Sequence, residues 1–193
     1  MGKRFTMTEQ EKKQIRLLYE QQSEVNPQIQ GVFKYSPQGL NPYVAIDING
    51  MNSEQIFNST INWIKETFRN PDKVIKMSIP NQKIRFETSA NVGQIKNVVF
   101  PYLITIEVSI KDNKLKFEPI ETINPAVPET IQDYSLIGFP NNIPDEGIKQ
   151  GPMRIKKEKV IENMSQTMMN LERYLNELTV KLSNSFKKRS DDW

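Results

Sequence analysis

Apolar and polar residues alternate strongly along residues 100–120. Apolar side chains occupy almost every second position, and residues such as Thr105 and Glu107 lie between them. Because successive side chains of a strand point to opposite faces of the sheet, this pattern predicts two strands with one buried and one polar face. Asp112 and Asn113 interrupt the alternation and predict a tight turn. The stretch therefore predicts a β-hairpin in a sheet with one buried side.

Shorter apolar runs predict three more strands, at 44–48, 74–79 and 84–88, with a looser turn at 91–94. Between the first two, Asn52 and Gln55 form a capping box that predicts the start of a helix, and Pro71 follows its end. The predicted fold class is α+β, an antiparallel sheet of about five strands with one helix packed on one face. The apolar stripe of that helix consists of Phe57, Ile61, Ile64 and Phe68, with Ile56 and Trp63 beside it.

The segments on either side of this sheet domain differ in composition. Thr8 and Glu11 form another capping box, which predicts a short N-terminal helix to about Gln22. The residues from 23 to 42 are rich in Pro, Gln, Gly and Asn and predict a connector, in which Val32, Phe33 and Tyr35 could form a short strand. Residues 124–156 are rich in Pro, show no period and predict an extended arm. The predicted organisation is 1–42 helix and connector, 43–123 sheet domain, 124–156 Pro-rich arm and 157–188 long helix.

Residues 157–188 predict a long helix with a heptad seam. Apolar residues recur there at alternating spacings of three and four, and mostly polar residues flank them. So narrow a stripe favours another helix as its neighbour over a broad sheet. Its partner could be a second copy, the N-terminal helix or another protein, or the helix could fold back across the sheet of its own chain. The candidate interface residues are Ile161, Met164, Met168, Leu171, Leu175, Leu178 and Leu182.

Composition excludes several classes of chemistry. The chain of 193 residues has no Cys and no His, which excludes disulfides, thiolate metal sites and Cys nucleophiles and removes the usual general base. With 26 basic and 23 acidic residues, the formal net charge of +3 is too small to favour nucleic acid as a partner. We predict no cofactor and no metal site. No apolar run is long enough to predict a membrane-spanning helix.

Two groups of charged residues could carry function. Glu54, Glu66, Glu87 and Glu107 could pair as acid and base, but charged residues on the polar faces of helices and strands are the simpler interpretation, and we predict no catalytic residue. Basic residues around the sheet could form a surface for single-stranded nucleic acid together with nearby aromatic rings. These rings are in phase with the apolar face, which predicts that they belong to the core. The basic residues are Lys73, Lys76, Lys83, Arg85, Lys96, Lys111, Lys114 and Lys116, and the aromatic ones are Phe86, Tyr102 and Phe117.

The order of one strand, a helix, four strands and a late helix resembles a bacterial family of unknown function described as having a TATA-binding-protein-like fold. The residues that carry this resemblance are 55–64 with Phe68, then 84–86, then 102–117, within about residues 42–123. The resemblance implies that fold but no catalytic residues, and the shared fold does not imply DNA binding. Members of that family are commonly predicted to be exported or lipid-anchored, whereas this chain has neither a signal-like start nor a Cys. Residues 8–20 also resemble the starts of tailed-phage virion proteins.

These features predict a structural subunit of a multi-protein complex. A virion component, at the head–tail junction or in the tail, is the most concrete version, with the long helix making the contacts in a homo- or hetero-oligomer. The alternative is an accessory domain of a bacterial envelope system, which binds a ligand or peptide and packs its long helix in cis to leave a pocket. No secretory signal is apparent, so we expect a cytoplasmic or virion-associated protein.

Overall fold

A computed structural model describes residues 10, 25–36, 39–95, 98–123, 148–150 and 153–187 of the chain. The predicted N-terminal helix, apart from Gln10, and most of the Pro-rich arm lie outside these residues. The helices are α1 (Ser53–Thr67), α2 (Pro71–Val74) and α3 (Lys157–Lys187). The strands are β1 (Gln28–Gln30), β2 (Tyr35–Ser36), β3 (Gly39–Leu40), β4 (Val44–Asp47), β5 (Ile75–Ile79), β6 (Lys83–Ile95), β7 (Val98–Lys111), β8 (Lys114–Ile123), β9 (Ile148–Gln150) and β10 (Met153–Ile155).

The α+β class is confirmed, and the main sheet has six strands in the order β1-β4-β8-β7-β6-β5. All of its neighbouring strands are antiparallel. The sixth strand is β1, which comes from the stretch predicted as a connector and pairs with β4. Three residues without a clear period give too weak a signal to predict a strand, because the partner strand supplies most of the stabilisation.

The hairpin of β7 and β8 is confirmed. Lys111 pairs with Lys114 across the two-residue turn, and Asn113 has a positive φ of 61°, which Asn tolerates better than most residues. The turn also fixes the start of α1, because the backbone N–H of Ser53 donates to the Asp112 carboxylate at 2.7 Å. The capping box of Asn52 and Gln55 is present as well. Helix α1 is therefore attached to the end of the hairpin at its first turn.

The hairpin of β6 and β7 is longer than the pattern indicates. The looser turn predicted at 91–94 is instead a register shift between Ala90 and Gly93, and β6 continues to Ile95. The Phe100 ring lies directly on Gly93, where a Cβ atom would come within 2.3 Å of it. Phe100 in turn stacks on Tyr102, with ring centroids 5.9 Å apart. Gly93 therefore allows an aromatic ring to pack directly on the backbone of a strand. The glycine does not mark a turn here, although the sequence pattern predicted one.

Both long helices pack on the apolar face of the six-stranded sheet, and β2–β3 and β9–β10 form two separate two-stranded sheets. Helix α1 buries Ile56, Trp63 and Ile64, while Phe57 and Ile61 of the predicted stripe are only partly buried. The buried face of α1 is thus rotated toward Trp63, whose ring meets Phe86 of β6 edge to face at 5.8 Å. Helix α3 adds its own buried residues to the same core. The core therefore has one sheet layer and one helix layer.

Candidate functional site

Five of the seven candidate interface residues lie in the core of this chain. Their side chains are at most 3% exposed and belong to the same cluster as the apolar face of the sheet. The helix thus folds back across the sheet, which is the packing in cis that the sequence left open. The side chains of Ile161 and Met164 lie outside the described part of the chain. The five buried residues are Met168, Leu171, Leu175, Leu178 and Leu182.

The buried face of α3 is broader than the heptad seam suggested. Thr167, Thr179 and Ser183 are buried beside it, at most 5% exposed. The hydroxyl of Thr179 donates to the Leu175 carbonyl at 2.8 Å, so a polar side chain is satisfied inside the helix and can face the core. The heptad pattern treats polar residues such as Thr as flanks of the seam, which makes the apolar stripe look narrow. With them, the buried face is wide enough for a sheet.

Polar side chains of α3 hold the stretch around β2 against the helix. The Asn176 amide accepts from the Phe33 backbone N–H at 2.8 Å and donates to the Phe33 carbonyl at 2.9 Å. The Glu172 carboxylate accepts from the Tyr35 backbone N–H at 2.8 Å. These bonds position the Phe33 ring, which is fully buried. Its centroid lies 6.1 Å from the centroid of the Phe117 ring. Phe33, which lies in the stretch predicted as a connector, is therefore part of the core, and the partly buried Tyr35 packs against that core.

The opposite side of α3 meets the long hairpin. The Tyr174 hydroxyl is 2.8 Å from the Thr88 hydroxyl, and the Asn170 amide donates to the Val92 carbonyl at 3.1 Å. Burial raises the pKa of Tyr174, and the nearby Glu177 charge raises it further against the opposing effect of the Thr88 hydrogen bond. The helix is thus fixed on both flanks by hydrogen bonds and beneath by its apolar face. It presents its remaining face as a rigid surface.

That remaining face carries two exposed apolar residues among charges. Met169 is 47% exposed and Val180 is 48% exposed, and Arg173, Glu177 and Lys181 lie on the same side of the helix. We call these five residues the outer surface of α3. They contribute to a shallow groove of about 700 Å³ that Glu172 and Asn176 complete on the flank facing β2.

A second groove of about 390 Å³ lies between α3 and the distal part of the long hairpin. Arg173 and Glu177 line both grooves, so the two form one continuous surface. Val99 of β7, which is 54% exposed, lines the second groove. The exposed apolar side chains of Val99, Met169 and Val180 therefore share one surface. Scattered apolar residues on a protein surface are normal, but a shared surface between two grooves is a candidate binding site.

Six of the eight basic residues considered for nucleic acid lie on the sheet face away from the helices, and several of them are paired. Lys73 lies in α2, and Lys96 lies outside the described residues. Glu107 bonds to Lys83 at 2.7 Å and to Arg85 at 2.7 Å, Lys76 to Glu87 at 3.0 Å and Lys114 to Asp47 at 3.1 Å. Phe86 and Phe117 are fully buried in the core, and Tyr102 is partly buried. This face therefore presents mixed charge with most of its described cations paired to carboxylates, and two of the three aromatic rings point away from it.

Glu107 is the most perturbed carboxylate of that face. Its burial acts to raise the pKa, but hydrogen bonds and charge from Lys83 and Arg85 outweigh that effect and hold the pKa of Glu107 below its ordinary value. Glu87 binds Lys76, so the two carboxylates each pair with cations and not with one another. Within the described ranges, no three Asp or Glu side chains come together in a group that could hold a metal ion. The described helices include none that is long and apolar enough to cross a bilayer.

Two solved structures are similar to this chain. One is a DUF4468 family protein from Bacteroides ovatus, with 12% identity and a TM-score of 0.49 over 84% of this chain and 95% of that chain. The other is a TBP-like protein from Parabacteroides distasonis, with 12% identity and a TM-score of 0.47 over 75% of this chain and 90% of that chain. The names of these two neighbours agree with the predicted resemblance to a bacterial family of unknown function with a TBP-like fold. No protein-family model and no curated protein matches the chain significantly.

Proposed function

We propose that this protein is a non-catalytic subunit of a protein assembly and that it docks through the outer surface of α3. The observation that carries the proposal is the continuous surface on which Met169, Val180 and Val99 are each about half exposed. Apolar side chains framed by charged ones are typical of surfaces that bind another protein.

The charges of this surface support the proposal too. In the part of the chain that the structure describes, Arg173, Glu177 and Lys181 take part in none of the ion pairs. On the other face of the sheet, by contrast, cations bind neighbouring carboxylates. Charged side chains that form no ion pair within the chain can pair with a partner across an interface. Such pairs determine the orientation of the partner and the specificity of binding.

A virion component remains the most concrete version of this proposal. It rests on the resemblance of residues 8–20, of which only Gln10 lies among the described residues. The alternative, an accessory domain that binds a ligand or peptide in a bacterial envelope system, has one observation in its favour. The long helix packs in cis and leaves the groove of about 390 Å³ beside the hairpin. Asn91, Asn170 and Tyr174 are among the residues that line this groove.

The test replaces exposed residues, because changes at Leu171 or Leu175 would disrupt the core instead of an interface. Met169→Glu with Val180→Glu puts two charges on the outer surface of α3, and the full chain is then compared with wild type in its source organism. We expect wild type to elute in a complex heavier than the monomer, and the double variant to elute as the folded monomer, measured by native mass of the tagged chain. Ile79→Glu, at a 41% exposed residue of β5, is the control and should assemble normally.

Circular dichroism of the purified variants separates lost docking from lost folding. The proposal is contradicted if the double variant keeps its wild-type helix content and still elutes in the same complex. It is contradicted equally if wild type itself is a monomer in the source organism. Should a peptide bind wild type at the hairpin groove and Asn91→Ala alone release it, the alternative function would take its place.

A further inference from the structure

Four of the five residues on the outer surface of α3 form a stripe that is self-complementary under a two-fold axis. Residues three and four apart lie on one face of a helix, so Met169, Arg173, Glu177 and Val180 form one stripe. The Arg173–Glu177 pair and the Met169–Val180 pair are both centred on the same helical turn, at Tyr174 and Leu175. When two copies of α3 cross antiparallel at that turn, Arg173 of each copy faces Glu177 of the other. Met169 of each copy then faces Val180 of the other.

We infer that a second copy of this chain occupies this surface and forms an isologous dimer. The inference rests on the proposed function and names the partner at its docking surface. In a two-fold interface the same patch is used by both subunits, so each charge and each apolar residue must find its complement within the patch itself. The stripe meets this condition for both pairs.

The order of the two charges favours pairing between chains over pairing within one helix. Arg173 precedes Glu177 by four residues, and an acidic residue four positions before a basic one is the more favourable order within a helix. In the described structure Arg173 and Glu177 form no salt bridge with each other, although they are one turn apart. Both charged heads are therefore available to a second copy.

Hydrogen bonds on both flanks of the helix hold it in place. Asn176 and Glu172 bind the stretch around Phe33 on one flank, and Tyr174 and Asn170 bind β6 on the other. The stripe is thus presented without reordering of the helix, which lowers the entropic cost of association. An interface built on one helix face belongs to the small end of the size range, so we expect dissociation in the micromolar range.

The test uses charge reversal and mixing. Arg173→Glu places four acidic residues at the two-fold crossing, and Glu177→Arg places four basic ones there. We expect each variant alone to dimerise about tenfold or more weakly than wild type, because two repelling pairs replace two attracting ones. Mixing the two single variants restores both attractions, so the mixture should form a heterodimer. Native mass spectrometry at about 100 µM distinguishes heterodimer from homodimer by their masses.

Contacts within a single helix cannot explain why mixing two weakly dimerising variants restores association. The mixture is therefore the decisive measurement. The inference is overturned if wild type is a monomer at that concentration, or if the mixture gives no heterodimer while both variants retain wild-type helix content. Lys111→Glu, a charge reversal at an exposed position on the sheet, is the control and should dimerise as wild type does. A monomeric wild type that still enters a heavier complex in its source organism through Met169 and Val180 overturns this inference and leaves the proposed function standing.

Discussion

At the scale of single residues, the bonding partners of a polar side chain explain how it can be buried in this protein. Glu107 is nearly buried on the sheet face away from the helices, and it stays charged there because Lys83 and Arg85 both bind it. Thr179 lies in the core because its hydroxyl bonds to a carbonyl of its own helix. Neither role follows from residue type alone. Each requires knowing which neighbours the fold supplies.

Glu107 makes the stability of the fold depend on acid pH. Its pKa is lower in the folded chain than the ordinary value of about 4.3, so the stabilisation is complete above that value and is lost as the pH falls through the folded pKa. We expect Glu107→Gln to lower the free energy of unfolding by about 1–3 kcal/mol at neutral pH. The free energy of unfolding of the variant should also decrease less in acid than that of wild type. Urea unfolding at pH 7 and at pH 3 measures both effects.

Glu87→Gln is the matched control for that prediction. Glu87 pairs with one lysine and is more exposed, so its removal should cost about 0–1 kcal/mol. Two results would show that the Lys83 and Arg85 bonds contribute little. One is a loss in the free energy of unfolding for Glu107→Gln that is no larger than the loss for Glu87→Gln. The other is an equal decrease in that free energy between pH 7 and pH 3 in wild type and in Glu107→Gln.

At the scale of elements, strong periodic signals predicted the structure well and weak ones did not. The capped helix at Asn52 and the hairpin turning at Asp112 and Asn113 are confirmed, since both patterns depend on local sequence. Strand β1 and the burial of Phe33 depend on distant residues, β4 for one and Asn176 for the other. The breadth of the buried face of α3 was missed because Ser and Thr can satisfy themselves in a helix.

The two hydrogen bonds between Asn176 and the Phe33 backbone predict that Asn176 stabilises the stretch around Phe33 locally. Asn176→Ala removes an acceptor from the Phe33 N–H and a donor from its carbonyl, leaving two backbone groups without those partners. We expect a loss of about 1–3 kcal/mol in the free energy of unfolding, with faster amide exchange concentrated in residues 28–36. Hydrogen exchange by mass spectrometry measures the second effect.

Asn184→Ala, the same substitution at an exposed position of the same helix, controls for general effects of replacing Asn in α3 and should change neither quantity. Exchange that accelerates equally across α3 and the whole sheet in Asn176→Ala would contradict a local role. It would mean that the amide supports the global fold and not the attachment of this stretch.

At the scale of the whole molecule, the sequence predicted the class of fold and the presence of a long apolar helix, but not which surface that helix leaves exposed. The residues chosen as an interface are largely core, and the exposed stripe follows only from how α3 lies on the sheet. Arg173 and Glu177 gave only a weak signal, because opposite charges four residues apart on a helix are common on solvated faces. The binding surface is therefore a consequence of tertiary packing, which fixes the rotation of the helix.

Met168 and Met169 allow the central claim to be tested within one chain. Met168 is 3% exposed and Met169 is 47% exposed, so in the isolated folded chain hydroxyl radicals should oxidise Met169 and spare Met168. In the assembled state we predict that Met169 becomes protected several-fold, while Tyr43, 49% exposed away from α3, reacts unchanged. Oxidation of Met169 at the same rate in the assembled and isolated chain would contradict docking through the outer surface of α3.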